Sequence, residues 1–434
     1  MYIAILLIFI VGYIGIALEH PLKVDKSAFA ILTGVLCWTA LVVGEHSIFP
    51  GVADPGERIL LSLEEHLSDI SSILFFLLGA MTIVELVDAH QGFSVITDSI
   101  KTTGKTKLLW LLCGITFFMS AVLDNLTTAI VMAALLRKLI PEKEDQWFFA
   151  GMVIIAANAG GAWSPIGDVT TIMLWISGEI TTVNIIKAVF LPSFVSMIVS
   201  LGLASFFLKG QIDPDAGNRE AEENLPHVSN RNKYLVFTMG IGLLLFVPIF
   251  KTVTHLPPFM GILLGLGILW LTTEILHRND GHDGQRSPLS VVEILRRVDV
   301  PSVLFFLGIL LAVGALQTAG HLNQMAVFLD EKFQNIYIIN TLIGLLSAIV
   351  DNVPLVAGAM GMYSLEQYPQ DHAFWELLAY CAGTGGSNLI IGSAAGVAMM
   401  GIMKIDFLWY LKKISWLALV GYFAGILVYM VMQN

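Results

Sequence analysis

The sequence predicts an all-α polytopic membrane protein built from two inverted repeats. Each repeat has five transmembrane helices plus one re-entrant hairpin, and each contains a broken helix. Three observations predict this. Charged residues make up only 13% of the 434, against roughly 25% in soluble proteins, and mean hydropathy is +0.78. Apolar runs of about 20 residues, enough to span a bilayer at ~1.5 Å rise per residue, recur from end to end. Three motifs of the first half return in the same order in the second. The other fold that spans membranes, a β-barrel, needs alternating runs of about 10 residues, and the sequence shows no such pattern.

In chain order, the opening "MYIAILLIFIVGYIGIALEH" has neither a basic n-region nor a small-residue cleavage site. Residues 2–18 therefore read as a first transmembrane helix and not as a signal peptide. Apolar segments follow at 27–43, 70–89, 106–138, 147–176 and 184–208, completing a first repeat over 1–208. Residues 209–233, "KGQIDPDAGNREAEENLPHVSNRNK", carry two prolines and many charges and read as a solvated cytoplasmic linker. The second repeat, 234–434, has segments at 234–250, 257–276, 301–318, 337–363, 374–402 and 414–432.

The halves match at three places. "ISSILFFLLGAMTIVEL" (70–86) aligns with "VPSVLFFLGILLAVGAL" (300–316), "SAVLDN" (120–125) with "SAIVDN" (347–352), and "AGGAWSPIG" (159–167) with "TGGSNLIIG" (384–392). The offsets are 230, 227 and 225 residues. One match between apolar words is weak, but three in order indicate an internal repeat. Segments 106–138 and 337–363 each hold an acid–amide pair near the middle, followed in the second by Pro354. That is a poor interior for a straight helix, and two arms of about 15 residues each fall short of a crossing. Each segment is read as a hairpin turning near Asp124-Asn125 or Asp351-Asn352. Five crossings per half then turn the second half upside down. With the N-terminus outside, 19 of the 23 Lys and Arg lie in inner loops, and only Arg58, Lys187, Lys251 and Lys332 lie outside. Reading 106–138 as a full crossing would swap the loops that follow and remove this bias. The first hairpin should open from the cytoplasm and the second from outside, with both termini outside.

Composition also excludes functions. The net charge of −11 comes with no basic, aromatic-rich patch, so no nucleic-acid partner is expected; membrane lipid is. Cys37, Cys113 and Cys381 are isolated in apolar segments, so neither a zinc site nor a disulfide framework is indicated. No nucleophile–base arrangement stands out, so an enzyme is not expected, and no cofactor is.

The chemistry lies in polar residues at membrane depth, where a charge costs at least ~2.5 kcal/mol on insertion scales. At a hairpin turn one helix ends with free carbonyls and the next begins with free N–H groups. Carbonyls with Asp124, Asn125, Asp351 and Asn352 make a hard-oxygen site suited to Na⁺. The competing structural reading is that the acids only cap the second arms. The fifth segments are interrupted too: Gly160, Gly161, Pro165 and Gly167 in the first, Gly385, Gly386 and Gly392 in the second. Glycine and proline unwind helices where a cavity or neighbouring protein satisfies the backbone. Asn158, Ser164, Asp168, Thr170 and Thr171 line the first break; Thr384, Ser387, Asn388 and Ser393 line the second. Asp168 and Ser393 occupy matching places, where an N-cap is an alternative role. A third feature has Ala315 and Thr318 at its two acidic positions in the second half; in the first it is Glu85, Asp88 and His90. They are either a polar helix end or a cytoplasmic proton entrance, with His90 placed to sense pH.

Together "GAMTIVELVDAH", "SAVLDNLTTAIV", "NAGGAWSPIGDVTT" and "SAIVDNVPLVAGAMGMY" resemble the NhaD-type sodium/proton antiporters, part of the broad ion transporter superfamily that includes sodium-dicarboxylate carriers. The resemblance covers nearly the whole chain; carboxylate carriers have Ser-Asn-Thr type tips in place of Asp-Asn. It implies an inverted-repeat fold and a homodimer, with a scaffold and a moving transport part of the elevator type. It also implies exchange of cytoplasmic Na⁺ or Li⁺ for external H⁺, favoured at alkaline pH, in a bacterial cytoplasmic membrane. The family's polar residues carry over onto Ser120, Asp124, Asn125, Asn158, Asp168, Thr170 and Thr171 in the first half. In the second they fall on Ser347, Asp351, Asn352, Ser387, Asn388 and Ser393. The alternative is a Na⁺-coupled symporter of a small carboxylate or other anion.

Overall fold

The computed structural model describes residues 1–17, 19–51, 54–94, 102, 104–212, 228–278, 289–349 and 351–433. Most of the polar linker, with Arg219, lies outside the described residues, as do Lys101, Arg286 and Val350. The described residues are helical almost throughout. In the first half the principal helices are α1 (Tyr2–Ala17), α2 (Lys26–Val43), α3 (Pro55–Ala89), α4 (Lys105–Leu123), α5 (Asn125–Leu139), α6 (Lys143–Ala162), α7 (Val169–Ser177) and α8 (Thr182–Phe207). In the second they are α9 (Asn230–Thr254), α10 (Pro258–Leu276), α11 (Val300–Thr318), α12 (His321–Phe333), α13 (Ile336–Leu346), α14 (Asn352–Met362), α15 (Ala373–Gly385), α16 (Ala394–Met403), α17 (Phe407–Lys413) and α18 (Ser415–Gln433).

Among the described residues, eight helices are long and apolar enough to cross a membrane: α2, α3, α4, α8, α9, α10, α11 and α18. The pair α16–α17, bent by 118°, makes a ninth if taken as one span. The chain is thus a multi-pass membrane protein, but its helices are less uniform than expected. α1 has 16 residues, about 24 Å, short of a ~30 Å hydrocarbon core. α4 has 19, not about 15, and is long enough by itself to cross. α3 starts at Pro55, well before the apolar segment at 70, because Asp54 caps it and Pro55 suits a first helical position. The charged residues 57–69 then simply extend the helix. α12, too mixed in composition to be read as a segment, is an additional helix.

The helices pack in matching pairs. α1 lies on α2, and α9 on α10; α2 lies on α11, and α3 on α10. α4 lies on α6, and α13 on α15; α5 lies on α16, and α14 on α7. α6 with α15, and α8 with α18, close the set. The α4–α6 and α13–α15 contacts are alike in detail. A side chain at Gly160 would collide with the carbonyl of Phe117, and one at Gly385 with the carbonyl of Gly344. These glycines therefore do not unwind their helices as the sequence suggests. α6 stays helical to Ala162 and α15 to Gly385. The breaks come later, at 163–168 and 386–393.

Both turn-containing segments fold back on themselves. Lys105, opening α4, pairs with Glu142 at 3.9 Å, just past the end of α5, and with Asp145 in the first turn of α6. At the other segment, Asp330 of α12 accepts from Tyr363 and Gln367, each at 3.2 Å, just past α14. The open end of α4–α5 adjoins the C-terminal end of α8, where Lys105 N–H donates to the Gly210 carbonyl at 3.1 Å. The loop after α14 adjoins the N-terminal end of α8, where Thr181 donates to Asp371 through its N–H (2.6 Å) and hydroxyl (2.8 Å).

Candidate functional site

Asp168 stands at the middle of a buried polar network. It caps α7: its Oδ1 accepts from the N–H and the hydroxyl of Thr170, each at 2.9 Å. Thr171 completes a capping box, its hydroxyl accepting from Asp168 N–H at 3.2 Å and donating to the Asp168 carbonyl at 2.9 Å. The Asn125 amide donates to Asp168 Oδ2 at 2.5 Å, and the Asn352 amide lies 3.4 and 3.3 Å from the two carboxylate oxygens. Asn125 opens α5 and Asn352 opens α14, so the turns of both folded-back segments meet on one carboxylate.

The network continues into the second break. The Asn125 amide also donates to Asn158 Oδ1 at 3.1 Å, and Asn158 Nδ2 donates to the hydroxyls of Ser387 and Ser393, each at 2.9 Å. None of Asn125, Asn158, Asp168, Asn352, Ser387 and Ser393 is more than 3% exposed. Asn388 is equally buried, yet both polar atoms of its amide lack a partner. An unmet buried amide is costly, so this side chain holds spare ligand capacity beside Ser387. Ser393 also caps α16, donating nothing to its own helix but accepting from Gly396 N–H at 3.2 Å.

The other expected residues are used differently. The Ser120 hydroxyl donates to the Ala157 carbonyl at 2.5 Å, and the Ser347 hydroxyl to the Ala382 carbonyl at 2.9 Å. Each ties a turn-containing segment to the first half of a broken helix. Thr384 donates to Tyr380 within α15.

Asp124 caps α5, accepting from Thr127 N–H at 2.7 Å and its hydroxyl at 3.1 Å. Its backbone, at φ 79° and ψ 162°, lies in a region nearly reserved for glycine, a strain of order 1–3 kcal/mol that persists only when the surroundings enforce it. Asp124 lines a narrow crevice whose other walls include Phe76, Ala80, Leu244 and Ile262. Asp351 makes only a 3.4 Å cap to Val353 N–H, but its Oδ2 is 3.2 Å from the Lys26 ammonium. In the sequence Lys26 sits at the edge of an apolar run and counts among the loop bases.

Glu85, Asp88 and His90 share the end of α3, but their partners lie elsewhere. Arg297 is the cation within electrostatic reach of both acids. His90 is fully buried; its Nδ1 is 2.7 Å from the Leu86 carbonyl, and its Nε2 is 3.0 Å from Nε2 of His277. Glu179, just past α7, is only 8% exposed and was not singled out from the sequence. Burial pushes its carboxyl up to about 7, with Asp69 adding to the effect and Lys251 opposing it.

Fold and site together define a polytopic membrane protein with a deep polar centre assembled from both halves of the chain. The citrate transporter family matches residues 4–383. "Sodium/proton antiporter 1" of Arabidopsis thaliana is 49% identical over 432 residues, spanning 100% of this chain and 73% of that protein. "Na(+)/H(+) antiporter NhaD" of Vibrio cholerae serotype O1 is 30% identical over 456 residues, spanning 99% and 92%. The NhaD of Alkalimonas amylolytica is 29% identical over 449 residues, spanning 98% and 89%. The chain belongs to the NhaD-type sodium/proton antiporter family, within the wider citrate transporter family. These relatives are transporters and not enzymes. They come from a plant as well as from bacteria, so kinship does not carry the expectation of a bacterial membrane.

Proposed function

We propose that the protein exchanges cytoplasmic Na⁺, or Li⁺, for external H⁺ by alternating access of the elevator type. One observation carries the reading: Asp168 receives an amide from each of the two turns, Asn125 and Asn352. A single carboxylate, ringed by amides and hydroxyls, suits an alkali cation or a proton in turn. An amide that rotates offers its oxygen in place of its NH₂, so Asn125, Asn352 and the unpartnered Asn388 are ready oxygen ligands for Na⁺. Asp124 and Asp351 flank the network, each at the start of a helix. Na⁺ and H⁺ compete for the same oxygens, so loading one expels the other.

Support for inverted repeats is independent of the relatives' names. Ser120–Ala157 and Ser347–Ala382 are equivalent bonds at equivalent places. Asp168 and Ser393 cap their helices with nearly the same backbone angles, −147°/148° and −147°/154°. The two folded-back segments open towards opposite ends of α8. In this reading α4–α5 and α13–α14 are the hairpins, and they move with the broken helices α6–α7 and α15–α16. The crossings α2, α3, α10 and α11 stay with the scaffold. A homodimer and external termini belong to the same proposal.

The citrate transporter match favours one second reading, Na⁺-coupled uptake of a carboxylate. Asp168 in the network, with Asp124 and Asp351 flanking it, makes a poor seat for an anion. Proteoliposomes holding a pH dye decide between the two. External Na⁺ or Li⁺ alone should make the lumen alkaline. A response that requires succinate would instead establish the symporter.

A further inference from the structure

At the end of the molecule where the second folded-back segment opens, three carboxyls have both oxygens engaged. Asp330 accepts from Tyr363 and Gln367, and Asp371 from the N–H and hydroxyl of Thr181. Glu376 accepts from Asn184 on one oxygen, and from Tyr429 at 2.6 Å and Gln433 at 3.1 Å on the other. Glu179 differs. It is only 8% exposed, and its buried Oε2 accepts from no donor among the described residues. Its backbone is nevertheless fixed. Glu179 N–H donates to the Leu174 carbonyl at 2.9 Å, and its own carbonyl accepts from Asp371 N–H at 2.8 Å. The cation within electrostatic reach, Lys251 of α9, is committed elsewhere. Its ammonium donates to the Trp175 carbonyl at 2.6 Å and lies 4.4 Å from the centre of that ring. On the α3 side stands Asp69, exposed to solvent and within electrostatic reach of Glu179. An acid in water thus leads to an acid behind it that is buried and short of a donor.

A buried carboxylate without a donor is costly, whereas the same group carrying a proton is not. One free oxygen beside an ammonium is also a poor seat for a metal cation, which needs several oxygens. α7, nine residues and about 14 Å long, separates Glu179 from Asp168, so the two do not share a site. Resting on the exchange reading and its orientation, we infer that Glu179 is the group that takes up the external proton, which reaches it past Asp69 and leaves it inward. A hydronium outside becomes water as its proton forms an O–H bond on Oε2, and that bond breaks when the proton moves on. The ionisable groups on the surrounding elements are few. α3 carries Asp69, with Glu65 and His66 beside it; α9 carries Lys251; α8 carries the exposed Lys187. Asp371, His372 and Glu376, beyond α14, are engaged in bonds of their own.

The test separates proton uptake from sodium movement. Exchange of radioactive Na⁺ for unlabelled Na⁺ across a vesicle membrane needs no proton. In proteoliposomes Glu179→Gln should slow Na⁺-driven proton movement at least about tenfold and leave Na⁺-for-Na⁺ exchange within about twofold of wild type. Equal loss of both, which a merely structural role would give, overturns the inference, and so does wild-type proton movement. A second measurement uses the wild-type protein and so does not depend on a variant folding. A carbodiimide such as dicyclohexylcarbodiimide adds to protonated carboxyls. Mass spectrometry should find Glu179 modified at pH 6 and much less at pH 9, since burial holds this carboxyl at about 7. No modification, or equal modification at both, overturns the inference. Failure of the exchange reading itself looks different, because wild-type vesicles would then move no protons in response to Na⁺.

Discussion

Asp168 holds four side-chain or main-chain donors on two oxygens, and two of those donors come from opposite halves of the chain. Its loss removes the carboxylate on which both turns converge, so Asp168→Asn should reduce Na⁺-driven proton movement to the level of empty vesicles. Asn125→Ala removes the contacts to Asp168 and Asn158, and Asn352→Ala the contacts to the two Asp168 oxygens; one such contact is commonly ~0.5–1.5 kcal/mol, or up to ~3 kcal/mol with a charged partner. They should raise the Na⁺ concentration for half-maximal exchange roughly 5- to 30-fold while leaving exchange measurable. Glu179 makes a separate prediction about pH. Its folded value, about 7, lies above the ordinary 4.5, so the stability it contributes is complete below about 4.5 and is lost as pH rises through about 7. Glu179→Gln should therefore unfold at a higher temperature than wild type at pH 9, with the gap closing towards pH 5. A constant gap would contradict this. At this scale the sequence was informative wherever a polar residue interrupted an apolar run, because such residues are expensive there. It marked Asn125, Asn158 and Asp168 for that reason. It passed over Lys26 and Glu179, which stand at the edges of runs, where charge is ordinary. It could not assign the Ser120 and Ser347 hydroxyls, since their acceptors belong to another helix.

At the level of elements, helix breaks were legible as clusters of glycine and proline, but not their position. Gly160 and Gly385 serve close approach between helices, and unwinding falls on the residues that follow. This makes them sensitive sites. Gly160→Ala or Gly385→Ala would drive a methyl into a backbone carbonyl that belongs to a packed helix. Each should lower stability by roughly 2–4 kcal/mol and weaken exchange, since the displaced arms carry Asp124 and Asp351. Gly202, in α8, has nothing within 4 Å of the place a methyl would take. Gly202→Ala should be neutral or slightly stabilising, because alanine costs less helix entropy. Thermal unfolding in detergent, followed by tryptophan fluorescence, separates the three. The two arms of the first folded-back segment were legible only as a pair. Their unequal lengths, 19 and 15 residues, follow from the one-residue turn at Asp124, set by where the strained backbone falls and not by hydropathy.

At the scale of the whole molecule, alternating access depends on which way each folded-back segment faces. Counting bases placed the first inside and the second outside. The geometry adds a reason of a different kind: the first opens beside the C-terminal end of α8, the second beside its N-terminal end. α8 has 26 residues, about 39 Å, enough to separate the two faces of a bilayer. Single cysteines in a protein whose buried Cys37, Cys113 and Cys381 are replaced by alanine test this directly. Lys107 and Glu142 flank the open end of the first folded-back segment, and Gln334 and Glu366 flank that of the second; all four are exposed. A membrane-impermeant thiol reagent should label positions 107 and 142 only in inverted vesicles, and positions 334 and 366 only in right-side-out vesicles. Splitting of 107 from 142 would mean that α4 and α5 form a single crossing. Labelling of all four from one face would mean that the halves are parallel. Either result would also dissolve the meeting of Asn125 and Asn352 from opposite sides, on which a shared site for Na⁺ and H⁺ depends. Agreement would make Asp168 the point reached from both faces in turn, which is the geometry that alternating access requires.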